Sequence, residues 1–271
     1  MKIPKARIDI LLVEHGLAES REKAKAMIMA GEVFIKDKMI DKAGTAVPLD
    51  SEIEIRSKSH KFASRGGYKI EKALDYFHIS PQGLAVADIG ASTGGFTDCV
   101  LGRGARKVYA VDVGRGQLAW KLASDPRVVV MDKTNARFLE PEMFDESPEL
   151  ISMDVSFISV KLILPALAKI MHPDGQIITL IKPQFEAGID KVGKGGVVRD
   201  ASVHREVIAE VVKSAGGLGL NLKGLTFSPI KGPAGNIEFL ALFNRNAKLL
   251  TYDELDCLIK ATVYEAHEKA V

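Results

Sequence analysis

The sequence predicts an α/β protein in which a Rossmann-like sheet of seven strands, covered by helices on both faces, follows a small N-terminal α+β domain. Three observations point there. From residue 69 onward, short apolar segments alternate with stretches of helical periodicity. The first of those segments runs into 88-DIGASTGGF-96, an acid followed by a tight turn of small residues. Ahead of them lie two short helical patterns and some strand-like alternation, and this front end is basic. The 271 residues, 46% of them hydrophobic, can bury a full core in one large or two unequal units. The predicted division is an α+β domain at 1–60, a linker at 61–68 and an α/β domain at 69–271.

In the front part, 7-RIDILLVEHG-16 and 20-SREKAKAMIMAG-31 read as helices, with Ser20 as N-cap and Gly31 as the stop. Strand-like segments follow at 32-EVFIKDKMI-40 and 51-SEIEIRS-57. Arg21, Lys23 and Lys25 fall in the first turns of the second helix, where free backbone amides already favour phosphate oxygens. Residues 1–72 hold fifteen Lys/Arg against eleven Asp/Glu, a net +4, which leaves −2 for the rest of a chain whose formal charge is +2. Within it, 56-RSKSHKFASRGGYKIEK-72 has Arg56, Lys58, Lys61, Arg65, Lys69 and Lys72 against Glu71 alone. That balance suits a surface that meets phosphates, and equally a solvated charged linker.

In the second part, strands are predicted near 84–89, 107–112, 127–131, 150–155, 175–182, 221–227 and 236–243. Helices fill the gaps near 69–78, 94–103, 116–124, 159–171 and 201–215. A closing helix starts at Thr251, with Glu254 three residues on completing a capping box. Strands separated by helices pair in parallel with helices on both faces. The last two, joined by 229-PIKGPAG-235, can pair antiparallel, which matches a methyltransferase sheet better than a dinucleotide-binding one.

The turn after the first strand supports the same distinction. A nicotinamide-binding loop uses G-x-G-x-x-G so that backbone can approach a pyrophosphate. Here Gly90, Ala91, Ser92, Thr93, Gly94 and Gly95 lack the second glycine, and Asp88 stands two residues ahead of the first. A pyrophosphate would meet the wrong charge, whereas S-adenosylmethionine has no phosphate and presents a cationic sulfonium and an amino group. The second strand ends at Asp112, about twenty residues past the first glycine, where a carboxylate can accept from both ribose hydroxyls of an adenosine. The third ends at Asp132, placed for the adenine edge. The expected cofactor contacts are Asp88, Gly90, Ala91, Ser92, Thr93, Gly94, Gly95, Phe96, Asp112, Asp132 and Asp154. Lys69, Asp154, Lys182 and Glu238 each border an apolar segment, and a charge closing a buried strand is costly without a partner. Singly each reads as a structural ion pair; together they read as catalytic.

Asp88-Ile89-Gly90-Ala91-Ser92-Thr93-Gly94-Gly95-Phe96-Thr97, Asp154-Val155-Ser156-Phe157, Lys182-Pro183-Gln184-Phe185-Glu186 and Asn236-Ile237-Glu238-Phe239, behind a basic N-terminal module, resemble the TlyA or hemolysin A family over nearly the whole chain. The front part resembles an S-four-type RNA-binding domain (αL motif), through Arg7, Asp9, Leu12, Gly31, Val33 and Ile35. The resemblance implies an S-adenosylmethionine-dependent ribosomal RNA 2′-O-methyltransferase acting on cytidine, with a catalytic domain similar to FtsJ-type enzymes. Their Lys-Asp-Lys-Glu tetrad carries over to Lys69, Asp154, Lys182 and Glu238. Lys182 is then the group that favours the ribose alkoxide, with Asp154 anchoring it. No metal is expected, because displacement at a sulfonium methyl has a neutral leaving group.

The expected partner is ribosomal RNA in its subunits, held by Arg7, Arg21, Lys23, Lys25, Arg65, Lys133, Arg137 and Lys191. The glycine-rich segment 184-QFEAGIDKVGKGGVVRD-200 reads equally as a mobile lid or a surface loop. No basic-then-apolar leader is apparent, and the apolar region 150–171 is interrupted by Asp154, Lys161 and Pro165, so neither export nor a membrane span is expected. Cys99 and Cys257 match no metal-ligand spacing, and a reduced cytoplasmic setting is expected. A membrane-active hemolysin and a catalytically inactive RNA-binding factor are the rival readings. The first lacks a spanning segment, and the intact acids and lysines argue against the second.

Overall fold

The computed structural model describes residues 4–29, 31–55, 61–232 and 234–269. The chain divides into two compact units, 1–61 and 62–271. Arg56 and Lys58 of the basic run lie outside the described residues.

The first unit contains β1 (Lys5–Arg7), α1 (Ile8–Glu14), α2 (Arg21–Met29), β2 (Val33–Ile35), β3 (Lys38–Met39), β4 (Ala46–Pro48) and β5 (Ile53–Ile55). Ser20 caps α2, its Oγ accepting from Lys23 N at 3.2 Å, and Gly31 follows at φ +72°. Ile8, Leu11 and Leu12 of α1, Ala24 and Ile28 of α2, Val33 and Val47 close a core. The single strand expected over 32–40 is instead a hairpin. Lys36 and Asp37 both take positive φ, 47° and 65°, and a two-residue turn of that sign matches strand twist. The pair β1 and β4 was not anticipated; its three residues per strand are too few to show a period.

The second unit holds a seven-stranded sheet. In chain order come α3 (Gly66–Tyr76), β6 (Ala85–Ile89), α4 (Gly95–Gly102), β7 (Lys107–Val111), α5 (Trp120–Ala123), β8 (Val128–Met131) and β9 (Leu150–Met153). They are followed by α6 (Leu164–Ile170), β10 (Gln176–Ile181), α7 (Pro183–Glu186), α8 (Ala201–Gly216), β11 (Asn221–Phe227), β12 (Phe239–Asn244) and α9 (Tyr252–Lys269). The strand order is β11-β12-β10-β9-β6-β7-β8, with β12 antiparallel to both neighbours and the remaining pairs parallel. The chain reverses its direction of travel across the sheet between β6 and β9, which opens a crevice at their carboxyl ends.

Successive strand residues feed opposite faces. Ala87, Ile151, Ile177 and Ile181 join α6, α8 and α9 in one core, while Val86, Leu150, Ile178 and Leu180 join α3 and α4 in the other. Burial on both faces explains why these strands read as continuous apolar runs. The segment expected to link the two parts contributes Phe62 to the second core, and α3 starts at Gly66. The helix expected over 116–124 is reduced to α5, because Gly114 and Gly116 N–H groups are drawn onto the side chains of Asp112 and Asp132. A short 3₁₀ turn, Val160–Leu162, replaces the start of the helix expected over 159–171. Among the described residues, no helix is long and apolar enough to cross a membrane.

The capping box of α9 is formed: Thr251 N donates to Glu254 Oε2 at 2.7 Å, and Glu254 N to Thr251 Oγ1 at 3.2 Å. Thr251→Ala should therefore lower the unfolding free energy by about 0.5–2 kcal/mol, measured by urea denaturation, with the slope unchanged. A midpoint identical to wild type would mean that α9 does not depend on its cap.

Candidate active site

Four elements converge at the carboxyl edge of the sheet. β9 and β10 end one residue before Asp154 and Lys182, so both side chains emerge beside the crevice. Lys69 comes from α3, and Glu238 immediately precedes β12. Lys69 Nζ donates to Glu238 Oε2 at 2.7 Å and to Asp154 Oδ2 at 3.4 Å. Lys182 Nζ stands 2.5 Å from Asp154 Oδ1 and donates to Ser156 Oγ at 3.0 Å. The structure thus joins residues far apart in sequence into one row, Glu238, Lys69, Asp154, Lys182, in which the charge alternates.

Both lysines are 7% exposed and Glu238 is 1% exposed, so each charge has lost most of its water. Alternation offsets that cost, because every interior member of the row has an opposite charge on either side. Burial pushes the Lys69 ammonium down, but the charges and hydrogen bonds of Asp154 and Glu238 outweigh it and hold the group above its ordinary value. Glu238 Oε1 is buried with no hydrogen-bond partner among the described residues. Gly232 packs against it: a Cβ there would lie 2.5 Å from that oxygen.

The turn after β6 forms the adjoining wall. Gly90 takes φ +83°, and a Cβ at that position would lie 2.5 Å from the Asp154 carbonyl oxygen, so glycine lets the turn reach the charged row. Gly90 N and Ala91 N both donate to Val111 O. Asp112 accepts from Ser92 N at 2.8 Å and Gly114 N at 2.7 Å, which ties the turn to the loop after β7. Asp132 accepts from Gly116 N at 2.7 Å. Asp112 and Asp132 remain half-buried, Ser92 and Thr93 are exposed, and the carboxylates keep acceptor capacity toward the crevice.

Asp88, Gly94, Gly95 and Phe96, all expected cofactor contacts, are buried. Asp88 is fully buried; its Oδ2 accepts from Thr97 N at 2.9 Å and Thr97 Oγ1 at 2.7 Å, so it secures the start of α4 from within. Phe96, 4% exposed, packs in the core with Ile70 and Val100. Gly94 and Gly95 are likewise buried, and a Cβ on Gly94 would lie 2.3 Å from Leu122. These residues shape the turn.

The structure adds residues to which no role was assigned. Ser156 holds Lys182, and Phe157, 90% exposed at φ +64°, packs its ring 5.0 Å from that of Phe185. Asn236 accepts from Val198 N at 2.9 Å and donates to Gly196 O at 2.8 Å, pinning the end of the glycine-rich segment. Each lies within a motif already singled out by Asp154, Lys182 or Glu238. Their roles depend on contacts between loops, which spacing along one chain does not reveal.

The basic candidates differ in their freedom. In the first unit, Arg7 Nε and Arg21 Nη2 contact Asp9 at 2.9 and 3.0 Å, and Asp9 is fully buried. The Arg7 guanidinium, joined by Arg21, holds the Asp9 carboxyl well below the usual carboxylate range. Both arginines keep half their surface, and Lys23 and Lys25 are exposed. In the second unit Arg65, Lys133 and Arg137 are exposed, while Lys191 is paired with Glu206 at 2.6 Å. Among the described residues, no cluster of His, Cys, Asp and Glu could hold a metal ion.

The profile of a family described as FtsJ-like methyltransferase matches residues 62–245, and one described as S4 domain matches residues 6–53. The chain is 50% identical over 241 residues to YqxC of Bacillus subtilis, a candidate rRNA methyltransferase, covering 89% of this chain and 86% of that protein. It is 42% identical over 263 residues to the 16S/23S rRNA (cytidine-2′-O)-methyltransferase TlyA of Mycobacterium tuberculosis, covering 96% of this chain and 98% of that protein. A solved structure from Streptococcus thermophilus, described as a candidate hemolysin, matches with a TM-score of 0.77 at 46% identity over 99% of this chain and 98% of its own.

Burial pushes the Asp88 carboxyl up to about 7, against the hydrogen bonds from Thr97 that favour its charged form. A folded value above the unfolded one means that its contribution is complete below about pH 4 and is lost as pH rises through about 7. Asp88→Asn keeps an acceptor for Thr97 and does not titrate. Its stability relative to wild type should therefore rise across that window by something on the order of 2–4 kcal/mol, measured by urea unfolding at several pH values. A pH-independent difference would place the Asp88 titration outside this range.

Proposed function

The chain belongs to the FtsJ-like methyltransferase family, and from that premise we propose that it transfers the methyl group of S-adenosylmethionine to the ribose 2′-hydroxyl of a cytidine in ribosomal RNA. The observation that carries this reading is the buried row Glu238, Lys69, Asp154, Lys182 beside an acid-rimmed turn. A ribose hydroxyl is a very weak acid, and a site built to use its oxygen as a nucleophile needs fixed positive charge beside it and little water.

The residues at the crevice fit the donor. Asp112 and Asp132 offer acceptors for ribose hydroxyls and an adenine amino group, Gly90 admits close approach, and Ser92 and Thr93 edge the opening. The donor, when bound, supplies an electrophilic methyl on a positive sulfur. On the protein side, Lys182 is held by Asp154 and Ser156 at the end of the row, where its positive charge stabilises the 2′-oxygen as that oxygen takes the methyl and its proton passes to water at the crevice. Asp154 aligns both lysines. Lys69, fixed by Glu238, adds a second positive charge that keeps the pair of carboxylates from repelling the developing alkoxide. The Phe157 and Phe185 rings beside Lys182 offer a face on which the target base can stack. Exposed Lys23, Lys25, Arg65, Lys133 and Arg137 suit contact with RNA phosphates, and the S4 match in the first unit supports the same substrate class.

Incubation with labelled S-adenosylmethionine and ribosomal subunits, followed by nucleoside analysis, tests this reading. Label in 2′-O-methylcytidine is expected; label on a base or no transfer to RNA would overturn it. Lys182→Ala should bind donor and RNA nearly as wild type yet transfer methyl roughly 10²–10⁴-fold more slowly in single turnover. Lys182→Arg should not restore the rate, because a planar guanidinium cannot take the place of a compact ammonium held between Asp154 and Ser156. Unchanged transfer by Lys182→Ala would remove the lysine from the chemistry. Asp112→Ala should weaken donor binding by about 1.5–3 kcal/mol in a calorimetric titration, and an unchanged affinity would exclude Asp112 from the donor site.

A further inference from the structure

We propose that Glu186 is a positioning residue for methyl transfer, a carboxylate that fastens the loop bearing Asp154, Ser156 and Phe157 to the segment bearing Lys182 and Phe185. The proposal rests on the function proposed above and concerns a residue that does not itself reach the charged row. Glu186 Oε1 accepts from Val160 N at 2.7 Å, and Oε2 accepts from Ser159 Oγ at 2.6 Å. Ser159 Oγ in turn accepts from Lys161 N at 3.2 Å and caps the turn Val160–Leu162. Both oxygens of one side chain are therefore used to hold the far end of the loop that begins at Asp154.

That loop needs an anchor. It leaves β9 at Met153, passes Phe157 at φ +64°, a conformation unfavourable for an aromatic residue, and is joined to the Lys182 segment at three points. Two of these are the Lys182 contacts with Asp154 and Ser156 and the packing of Phe157 on Phe185. Both depend on groups that substrate would touch, and Phe157 is almost wholly exposed. The third, through Glu186, is directional and removed from substrate. The nearest cation on the tied turn, Lys161, is engaged by Glu210 at 2.7 Å, and burial pushes the Glu186 carboxyl up. The group is kept partly buried for its two hydrogen bonds. Because α7 is one turn long, Glu186 lies four residues after Lys182, and a shift of the tied end moves Phe157 and Ser156 relative to Lys182.

The test compares Glu186→Ala, Glu186→Gln and Ser159→Ala with wild type. A displacement near 1 Å in a reacting constellation can cost up to about 100-fold, so Glu186→Ala should lose roughly 10–100-fold in kcat for ribosomal RNA with donor affinity unchanged. Glu186→Gln should recover most of that loss, since its amide oxygen accepts from Val160 N and its amide nitrogen can donate to Ser159 Oγ. Ser159→Ala, which removes one bond of the two, should fall between. Hydrogen exchange should rise in residues 155–163 of Glu186→Ala and not in residues 85–100. A wild-type kcat in Glu186→Ala, a glutamine variant as slow as the alanine one, or loosening throughout the second unit with loss of donor binding would each overturn the positioning role. Wild-type protein that transfers no methyl would overturn the proposed function instead.

Discussion

The structure depends most on one electrostatic constraint: two lysines and two acids share a space too dry for any of them alone. Isolated, a buried ammonium or carboxylate costs several kcal/mol. Placed in alternating order, Glu238, Lys69, Asp154 and Lys182 neutralise one another, and loss of either interior member, Lys69 or Asp154, would leave an end member without an opposite charge. The requirement fixes the relation between α3, the ends of β9 and β10, and the approach to β12. The sheet and its two cores make that convergence rigid, and the row explains why polar side chains are tolerated where the surrounding strands are apolar on both faces.

A second constraint acts through backbone amides. Asp88, Asp112 and Asp132 close successive strands, and each is bound to main-chain N–H groups: Asp88 to Thr97, Asp112 to Ser92 and Gly114, Asp132 to Gly116. Loops rich in small residues would otherwise be free to sample many conformations. The acids hold them in one, and the two nearer the crevice do so with acceptor capacity remaining. Asp88 differs only in depth. Two positions further inside the sheet, it holds the start of α4 through Thr97 and accepts from Ser152 Oγ of β9 at 3.4 Å.

The expectations that followed from residue type and period agree closely with the structure. All seven strands of the large sheet, its antiparallel final pair, the N-cap at Ser20 and the capping box at Thr251 are local or near-local consequences of side-chain chemistry. The differences have local causes too. Lys36 and Asp37 form a turn that no glycine announces, and the helix predicted after β7 gives way to a loop whose amides are captured by the acids ending β7 and β8, Asp112 and Asp132.

What the sequence by itself determined is therefore the alternation of elements, the small-residue turn after the first strand of the large sheet, and the identity of the four charged residues. Each follows from neighbours along the chain or from motif resemblance. Only the tertiary structure decided that those four form a single alternating row, that Asp88 and Phe96 face inward, and that Arg7 and Arg21 share Asp9. Nor could spacing show that Glu186 ties one site-bearing loop to another. The physical reason is the same in every case: burial, and the partner a charge finds when it loses water, are properties of segments that folding brings together, from 12 residues apart for Arg21 and Asp9 to 169 for Lys69 and Glu238, or turns to one side of a strand. One-dimensional order shows which groups are present, and three-dimensional desolvation decides which of them must pair.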